Sequence, residues 1–519
     1  MTARWIGLAA AALLLAGCGG SSKTFHIVAG SEEKTFEPIV QEFCSDQNVT
    51  CVIDYKGSLD IGLMLEGGDA PDVDAVWPAS SLWLDIYDTH RRVKDLKSIA
   101  SSPVILGVRM SKARELGWIG KPVRMDDILA AVAAGKLTFI MTSATQSNSG
   151  ASAYLTMLAA AFGTPDRLDP RALDDPNAQA KVKALLKGVA RGSGSSGWLE
   201  DLYLASAKDG HPYDAMWNYE ALLKETNDAL RQQNGELLYA VYPADGVSYA
   251  DAPLGYVEHG QDTDTKDFFD KLQAHLLSPD IQAKIAAFGR RTALGMAKPA
   301  PPEKDWNFDP GRVVPSIAMP EAKVIARALS IYQEVLRKPS LTAMCLDFSG
   351  SMQGDGENQV QAAIHTLFDP AQASHSLIQW TPQDHILILP FDARVRTVNQ
   401  GDGTAASQAQ LAADVGTQHA DGGTDMYACA ERALAEMKPY LDTNQYLPAI
   451  VIMTDGRSDA HAGFDDMWRR EGHSVPIFGV TFGDAEKSQL DALADLTRAR
   501  VFDGRSDLTQ AFRSVRGYN

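Results

Sequence analysis

Oxygen-bearing side chains cluster at three points in the last third of the sequence, each beside the end of an apolar run or the start of a helix. Asp347, Ser349 and Ser351 alternate with other residues where the run LTAMCLDFSGS ends. Thr424 lies in DGGTD, and Asp455 follows PAIVIMT. Few carboxylates, together with hydroxyls and water, are the ligands that a hard divalent cation prefers. The spacing therefore predicts a cation site formed by these five residues. Mg²⁺ fits the set best, and Mn²⁺ and Ca²⁺ are the alternatives.

The elements that must position these side chains follow an α/β pattern. Apolar strands are predicted at LTAMCLD, HILILPF, PAIVIMTDG, VPIFGVTFG and ARVFDG. Helical segments fall between them, at ENQVQAAIHTLF, DMYACAERALAEMK, KSQLDALADLT and LTQAFRSV. Strands separated by helices indicate a mostly parallel sheet with helices on both faces. Because the carboxyl ends of parallel strands share one edge of the sheet, we expect the three oxygen-rich segments to meet there.

Residues 340–516 resemble a von Willebrand factor A domain, which has a Rossmann-like fold. DFSGS matches the Asp-x-Ser-x-Ser element of that family's metal-ion-dependent adhesion site, GGTD supplies its threonine and TDG its second aspartate. The resemblance implies that a protein partner supplies a carboxylate to the metal. The sequence shows no GxSxG, no HExxH and no P-loop, so we predict binding rather than catalysis.

The first half of the sequence alternates short apolar strands with amphipathic helices, beginning with FHIVAGS and EEKTFEPIVQEFC. This pattern predicts a parallel-type sheet with crossover helices. Serine, threonine or glycine follows several of the strands, in AGS, KGS, WPASS and TSATQSNSG. Ligands bind at the carboxyl ends of strands in open α/β sheets, so these loops predict a polar cleft. The candidate ligand-binding residues are Ser31, Ser58, Trp77, Ser80, Ser147, Ser149, Trp217 and Tyr219.

Residues 24–297 resemble the two-lobed type 2 periplasmic solute-binding proteins, the receptors of ABC transporters. The resemblance rests on the order of AGSEEKTFEPIVQEF, SPVILGVRMSKARELGW, TSATQSNSGASAYL and FDKLQAHLLSPDIQAKIAAFGRR. It implies a small polar or anionic solute and an ABC permease as partner. Hydroxyl-rich loops suit an oxyanion, whereas the aromatic residues suit stacking on an organic ligand. The alternative is that the serines cap helices and the aromatic residues belong to the core, in a fold that has lost its transport site.

The N-terminus predicts export and anchoring. Arg4 precedes WIGLAAAALLLAGC, an apolar run shorter than the roughly 20 residues of a membrane span. LAGC resembles a bacterial lipobox, which implies a lipoprotein signal peptide at residues 1–18, lipidation at Cys18 and a tether at residues 19–23. The alternative is a plain secretory signal with a chance cysteine. We therefore expect an extracytoplasmic protein whose N-terminal lipid anchors it to the cell membrane or the outer membrane.

The other four cysteines would then lie in an oxidising compartment. Cys44 and Cys51 frame the polar segment SDQNVT, so a local disulfide is predicted there. Cys345 lies in an apolar strand and Cys429 in a helix, and for these two either a bridge or burial as free thiols is open.

Composition and the segment between the halves complete the sequence-based expectations. The formal charge of −18 argues against nucleic acid as a partner. Residues 298–339 predict a Pro-rich extended connector followed by a helix, with an apolar face formed by Val324, Ala328, Ile331 and Val335.

We expect metal-dependent recognition of a protein partner by residues 340–516 as the main function. The alternative is an ABC-transporter receptor that the A domain docks to a complex.

Overall fold

The fold is given by a computed structural model, which describes residues 23–67, 72–163, 168–293, 297–375, 377–455, 457–458, 461, 463–472, 475–481, 487–505 and 508–517. The predicted signal peptide, the tether up to Ser22 and Cys18 lie outside these residues. In the described part of the chain, no helix has both the length and the apolar character needed to span a membrane.

The described residues of the first half form eleven strands and eleven α-helices. The strands are β1 (Lys23–Gly30), β2 (Val49–Lys56), β3 (Ala75–Trp77), β4 (Val93–Ser98), β5 (Ser102–Arg109), β6 (Phe139–Thr142), β7 (Val189–Ser193), β8 (Ala215–Tyr219), β9 (Leu238–Val241), β10 (Tyr249–Ala250) and β11 (Pro253–Val257). The helices are α1 (Glu37–Asp46), α2 (Ser58–Gly67), α3 (Leu82–Tyr87), α4 (Met110–Glu115), α5 (Met125–Ala133), α6 (Asn148–Ala161), α7 (Pro176–Leu186), α8 (Ser196–Lys208), α9 (Glu220–Gln232), α10 (Thr263–Leu276) and α11 (Pro279–Ala287).

These elements build two sheets, each the centre of one lobe. The first lobe has the strand order β2-β1-β3-β11-β4, and the second has β10-β5-β8-β6-β7 with β9 also paired to β5. The chain crosses from the first lobe to the second between β4 and β5, and it returns between β10 and β11. The α/β fold class is confirmed, but the sheets are mixed rather than parallel. β11 is antiparallel to β3 and β4, and β5 is antiparallel to β8 and β9, because strands at the crossings have no crossover helix to return them in parallel.

The second half is built on one six-stranded sheet. Its strands are β12 (Ser340–Asp347), β13 (His385–Phe391), β14 (Asn399–Asp402), β15 (Leu447–Thr454), β16 (Ile477–Thr481) and β17 (Val501–Asp503). The remaining helices are α12 (Ala322–Ile331), α13 (Asp355–Leu367), α14 (Pro370–His375), α15 (Ala405–Gly416), α16 (Met426–Leu441), α17 (Phe464–Glu471), α18 (Lys487–Thr497) and α19 (Leu508–Arg516). The strand order is β14-β13-β12-β15-β16-β17, and all pairs are parallel except β13–β14. β12 and β15 are therefore central, and their carboxyl ends lie side by side.

Three local expectations need correction or completion. The segment predicted as a helix from Glu32 begins with a 3-10 turn at Ser31–Phe36, and the α-helix starts only at Glu37, where a proline occupies its first turn. The connector packs on the second lobe, because the stacked rings of Trp306 and Phe308 are buried against it. Disulfides join Cys44 to Cys51 and Cys345 to Cys429.

The buried face of the connector helix also differs from the face that the sequence predicts. Val324 and Ala328 are buried as expected, but Val335 is 40% exposed. A π-helical turn at Tyr332–Leu336 follows α12. Its wider spacing rotates the later residues, so Leu336 is buried in place of Val335.

The second half packs directly on the first. Arg513 of α19 donates from Nε to Asp60 Oδ1 on α2 at 2.8 Å, and from Nη2 to the Thr145 carbonyl of the second lobe at 3.1 Å. Lys338 donates to the Val189 carbonyl at 3.0 Å. One arginine of the last helix therefore contacts both lobes at the mouth of the cleft between them.

Candidate functional site: a strand-edge cluster and an interlobe cleft

The first site lies at the carboxyl edge of the second-half sheet, where β12 and β15 end. Asp347, the last residue of β12, is fully buried. Its Oδ1 accepts from the Ser349 backbone N–H at 2.8 Å, and its Oδ2 accepts from the Thr454 hydroxyl at 2.5 Å. Burial raises the pKa of Asp347, and the neighbouring carboxylate of Asp455 adds to this increase.

Hydroxyl and carboxylate oxygens form a continuous chain from this aspartate. The hydroxyls of Ser349 and Ser351 are 3.1 Å apart, and Ser351 donates to Asp455 Oδ1 at 2.9 Å. The structure thus brings together four of the five residues predicted as ligands, Asp347, Ser349, Ser351 and Asp455.

The loop that carries Thr424 lies against the same cluster. The Gly350 N–H donates to the Gly422 carbonyl at 2.9 Å, and the Thr424 carbonyl accepts from Ser458 Oγ at 3.3 Å. Gly422 has a φ of +84°, which favours glycine, and a Cβ on Gly350 would come within 3.2 Å of the Gly422 carbonyl. The two glycines therefore let the loops approach each other closely.

Arg396, which was not predicted from the sequence, holds these loops in place. It pairs with Asp392 at 2.8 Å and donates to the backbone carbonyls of Phe348 and His419 at 2.8 and 2.7 Å. The feature of the sequence that could have indicated its role is its position shortly after the end of a predicted strand. Within the described residues, no three His, Cys, Asp or Glu side chains converge as a metal site. Any cation at this edge would therefore depend on hydroxyl ligands as well as carboxylates.

The second site is the cleft between the lobes of the first half, where the predicted serine loops meet. Ser31 Oγ, in the first lobe, accepts from the Gly197 N–H of the second lobe at 2.9 Å. The Leu59 N–H of the first lobe donates to the Gln146 carbonyl of the second at 3.1 Å. A Cβ on Gly57 would lie 2.3 Å from that carbonyl, so the approach requires glycine here.

The predicted hydroxyls are buried, and most of them bond to one another or to local backbone. Ser147 and Ser149 contact Ser196 Oγ at 3.1 and 2.8 Å. Ser58 Oγ accepts from the Ala79 N–H at 3.0 Å, and Ser80 Oγ accepts from the Leu82 N–H at 3.3 Å. These hydroxyls are therefore largely engaged within the protein.

The predicted aromatic residues separate into two groups. Trp77 stacks on Phe36 in the core of the first lobe, and Trp217 packs edge-on against Phe139 in the core of the second. Both are buried in hydrophobic clusters, which agrees with the alternative that these two aromatic residues belong to the core. Tyr219 instead lines a small cavity in the cleft, and its hydroxyl accepts from Asn148 Nδ2 at 3.0 Å.

Two acidic residues line the same cavity and were not predicted as site residues. Glu32 and Glu33 follow Ser31 directly and are 5% and 4% exposed. Ser58 donates to Glu32 Oε1 at 3.3 Å, whereas Glu33 Oε2 has no hydrogen-bond partner among the described residues. Burial raises the pKa of Glu32 to about 7 and that of Glu33 to about 8. The signal in the sequence is the pair of acids in a strand-end loop, although the pattern EEKTFEPIVQEFC also predicts the start of a helix there.

Arg290 is the basic residue of this cluster. Its Nη2 donates to the Glu32 backbone carbonyl at 2.6 Å, and its Nη1 lies 3.1 Å from Glu225 Oε1. Glu225 also accepts from the Thr35 hydroxyl at 2.5 Å. The guanidinium is thus directed at Glu225 and at a carbonyl. Its positive charge still lowers the pKa values of Glu32 and Glu33, but by less than burial raises them.

Comparison with known proteins identifies a family for the first half. The family model described as "Bacterial extracellular solute-binding protein" matches residues 26–291. No curated protein matches the chain.

Several solved structures are similar in fold. The sulfate-binding protein SubI from Mycobacterium tuberculosis H37Rv is 19% identical, covers 53% of this chain and 88% of its own, and has a TM-score of 0.40. A ferric binding protein from Campylobacter jejuni is 16% identical over 59% of this chain and 98% of its own, with a TM-score of 0.40. A von Willebrand factor type A structure from Catenulispora acidiphila is 21% identical, covers 35% of this chain and 42% of its own, and has a TM-score of 0.29.

Proposed function

The chain belongs to the bacterial extracellular solute-binding protein family, and we propose that its first half binds a small polar solute in the cleft between the two lobes. Membership of this family gives an extracytoplasmic location. Binding in the cleft would serve delivery of the solute to an ABC permease, with the second half docking the protein to its complex.

One observation carries this proposal: strand-end loops from both lobes meet across the cleft. The contacts from Ser31 to Gly197 and from Leu59 to Gln146 join residues on opposite lobes. Each contact lies just after a strand, where α/β proteins bind ligands. A solute bound there would touch both lobes and hold them together.

Native mass spectrometry of the mature chain, purified from its own envelope without denaturation, tests the proposal. We expect a bound small molecule in the wild type. Its occupancy should fall in Gly57→Ala, whose new Cβ would meet the Gln146 carbonyl at 2.3 Å and keep the lobes apart. Gly416→Ala is the matched control, because nothing lies within 4 Å of the added atom. Equal occupancy in both variants, or a wild type that neither carries nor takes up a molecule from an envelope extract, would contradict the proposal.

The strand-edge cluster favours a second function, recognition of a protein partner through a divalent cation. We propose that residues 340–516 form a von Willebrand A domain whose cation is held by Asp347, Ser349, Ser351, Thr424 and Asp455. The chain of hydroxyl and carboxylate oxygens from Asp347 to Asp455 supports this set, because it suits Mg²⁺ or Mn²⁺. When bound, the cation would offer an open coordination position to a carboxylate of the partner.

Mn²⁺ binding to the mature chain, followed by electron paramagnetic resonance, tests the cation site separately from any partner. Ser351→Ala removes the hydroxyl that contacts both Ser349 and Asp455, and we expect it to weaken Mn²⁺ binding by about tenfold or more. Ser374→Ala, on the exposed surface of α14, is the control. Unchanged affinity in Ser351→Ala would contradict the site. A partner captured with Mg²⁺ but lost with a chelator or in Thr424→Ala would then support its role in recognition.

The N-terminal anchor is a separate proposal. We propose that Cys18 becomes the lipidated first residue of the mature protein, as its lipobox-like context indicates. The mass of the N-terminal peptide measures this directly. Cys18→Ser should release the protein from the membrane fraction, and an unmodified Cys18 in the membrane-bound wild type would contradict the anchor.

A further inference from the structure

We propose that the solute enters the interlobe cleft with a positively charged ammonium group, which Glu32 and Glu33 bind in the cavity beside Tyr219. This inference rests on the proposed solute-binding function and adds the chemical class of the solute. It also replaces the earlier expectation of an anion.

The first argument is the charge of the cleft. The positive charge of Arg290 acts on three carboxyls, those of Glu32, Glu33 and Glu225. The neighbouring Arg291 adds nothing, because it forms a bidentate pair with Glu220 at 2.8 and 2.9 Å. Since Arg290 lies 3.1 Å from Glu225, the carboxyls of Glu32 and Glu33 are left in excess. A buried acidic excess attracts a cation and repels an oxyanion.

The second argument is an acceptor without a donor. Glu33 is 4% exposed, lines the cavity, and its Oε2 finds no hydrogen-bond partner among the described residues. Leaving a buried acceptor unpaired destabilises the protein, and it does so more strongly for a charged group. A ligand that donates hydrogen bonds at this point would remove that destabilisation. An ammonium group carries both the donors and the positive charge.

The third argument is the size and lining of the cavity. Its volume is about 10 Å³. This is room for one water or one ammonium group. Besides the two carboxyls and Arg290, which is paired with Glu225, the cavity is lined by the ring of Tyr219 and by small side chains, namely Ala79, Ala100, Ser101, Ser102, Ala250 and Ala252. Methyl and aromatic walls suit the carbon that bears an ammonium group.

Two other ligand classes fit less well. An oxyanion could take a donor only from Arg290, and it would then lie beside the carboxyls of Glu32 and Glu33 in the same small cavity, because the hydroxyls of Ser147 and Ser149 contact Ser196. A metal ion would need more ligands than two carboxylates, and within the described chain no third acidic, histidine or cysteine side chain joins them in a metal cluster. An ammonium group is the ligand class that can bind to the carboxyls of Glu32 and Glu33 without further ligands from the protein.

The test measures the thermal unfolding midpoint of the mature chain at about pH 8 with methylammonium chloride, whose head group fits the cavity without any particular tail. Tetramethylammonium chloride is the salt control, because it has the same charge but no N–H donors and is too large for a water-sized space. We expect methylammonium to raise the midpoint and tetramethylammonium not to. In Glu33→Gln the apparent affinity for methylammonium should fall by about tenfold or more, which corresponds to the loss of one hydrogen bond to a charged group.

Glu42→Gln, the same substitution at an exposed position of α1, is the matched control, and it should respond as the wild type does. Glu32→Gln keeps the test usable if Glu33→Gln does not fold. An equal methylammonium response in wild type and both cleft variants, or no response in the wild type, would overturn the inference. Stabilisation by sodium sulfate or phosphate that Gly57→Ala abolishes would overturn it while leaving the proposed function intact. A wild type with no bound solute in native mass spectrometry would mark the failure of the proposed function instead.

Discussion

Buried carboxyl groups occur in both halves of the molecule, and their surroundings differ. In the second half, Asp384 is fully buried and accepts from both ends of the Arg337 guanidinium at 2.8 and 2.5 Å. The backbone N–H groups of Ser340 and Thr381 donate to it at 2.7 and 2.8 Å, and Arg516 lies 3.9 Å away. In the first half, Glu32 and Glu33 share the influence of Arg290 with Glu225.

The pKa values of these groups move in opposite directions because of this difference. The charges and donors around Asp384 outweigh its burial and lower its pKa. Burial outweighs Arg290 in the cleft, and the pKa of Glu33 rises to about 8. A buried carboxylate with balanced charge is explained by the fold that surrounds it. A buried carboxyl with unbalanced charge is not explained by the surrounding fold alone. Groups whose pKa is perturbed in this way are frequent in binding sites.

The largest effect is expected from breaking the balanced group. Asp384→Asn leaves Arg337 and Arg516 buried without their counter-charge, so the free energy of unfolding should fall by about 3–5 kcal/mol. Urea denaturation measures this change. Asp442→Asn, at the exposed end of α16, should stay within about 0.5 kcal/mol of the wild type. A small effect at Asp384 would mean that charge balance does not distinguish the two regions.

A smaller loss is expected where the halves meet. Arg513→Ala removes the ion pair with Asp60 and the hydrogen bond to the Thr145 carbonyl. The partners are largely buried, so we expect a loss of about 2–3 kcal/mol, typical of hydrogen bonds to charged groups. Differential scanning calorimetry would show it. Arg171→Ala, on an exposed arginine, is the control. If the variant unfolds as the wild type does, the contact contributes nothing to stability.

The smallest effect, with the opposite sign, is expected in the cleft. Glu33→Gln removes a buried acid whose Oε2 is unpaired, so the empty protein should gain roughly 1 kcal/mol at about pH 8, or about 1–2 °C in its thermal midpoint. Thermal unfolding without added amine measures this gain. A loss comparable to that of Asp384→Asn would show that Glu33 is a structural carboxylate after all.

The sequence was a good guide where function depends on the position of strand ends. DFSGS, GGTD and TDG lie at the ends of predicted strands or just before a helix, and the topology of a mostly parallel sheet brings such ends to one edge. The same reasoning predicted a cleft at Ser31, Ser58, Ser147 and Ser149, and of these Ser31 contacts the opposite lobe through the Gly197 N–H.

Prediction from the sequence failed where function depends on which other residues a side chain contacts. Trp217 could as well have faced a ligand as the core, because a buried strand exposes neither face to water. Glu32 and Glu33 fit the first turn of a helix by pattern, and acidic residues are common there. Only the packing of Arg290 and Glu225, which lie more than 190 residues further along the chain, shows that these acids are buried in the cleft.

The central claim, that the carboxyls of the interlobe cleft form an acidic excess whereas the carboxylate of Asp384 is balanced by arginines, is tested most directly by the pH dependence of unfolding. Since the pKa values of Glu32 and Glu33 are raised to about 7 and 8, the folded protein holds more protons than the unfolded chain between about pH 4.5 and 8. The contribution of these two groups is therefore fully present at low pH and is lost as the pH rises through this range.

The measurement is urea denaturation at a series of pH values from about 5 to 8.5, on the wild type and on Glu32→Gln/Glu33→Gln. Arg290, Glu225, Glu200, Tyr55 and Tyr219, the other charged or titratable groups near this pair, are present in both proteins. We predict that the free energy of unfolding, relative to that of the double variant, falls from about pH 5 to 8. A difference between the two proteins that stays constant or grows with pH would contradict the acidic cleft.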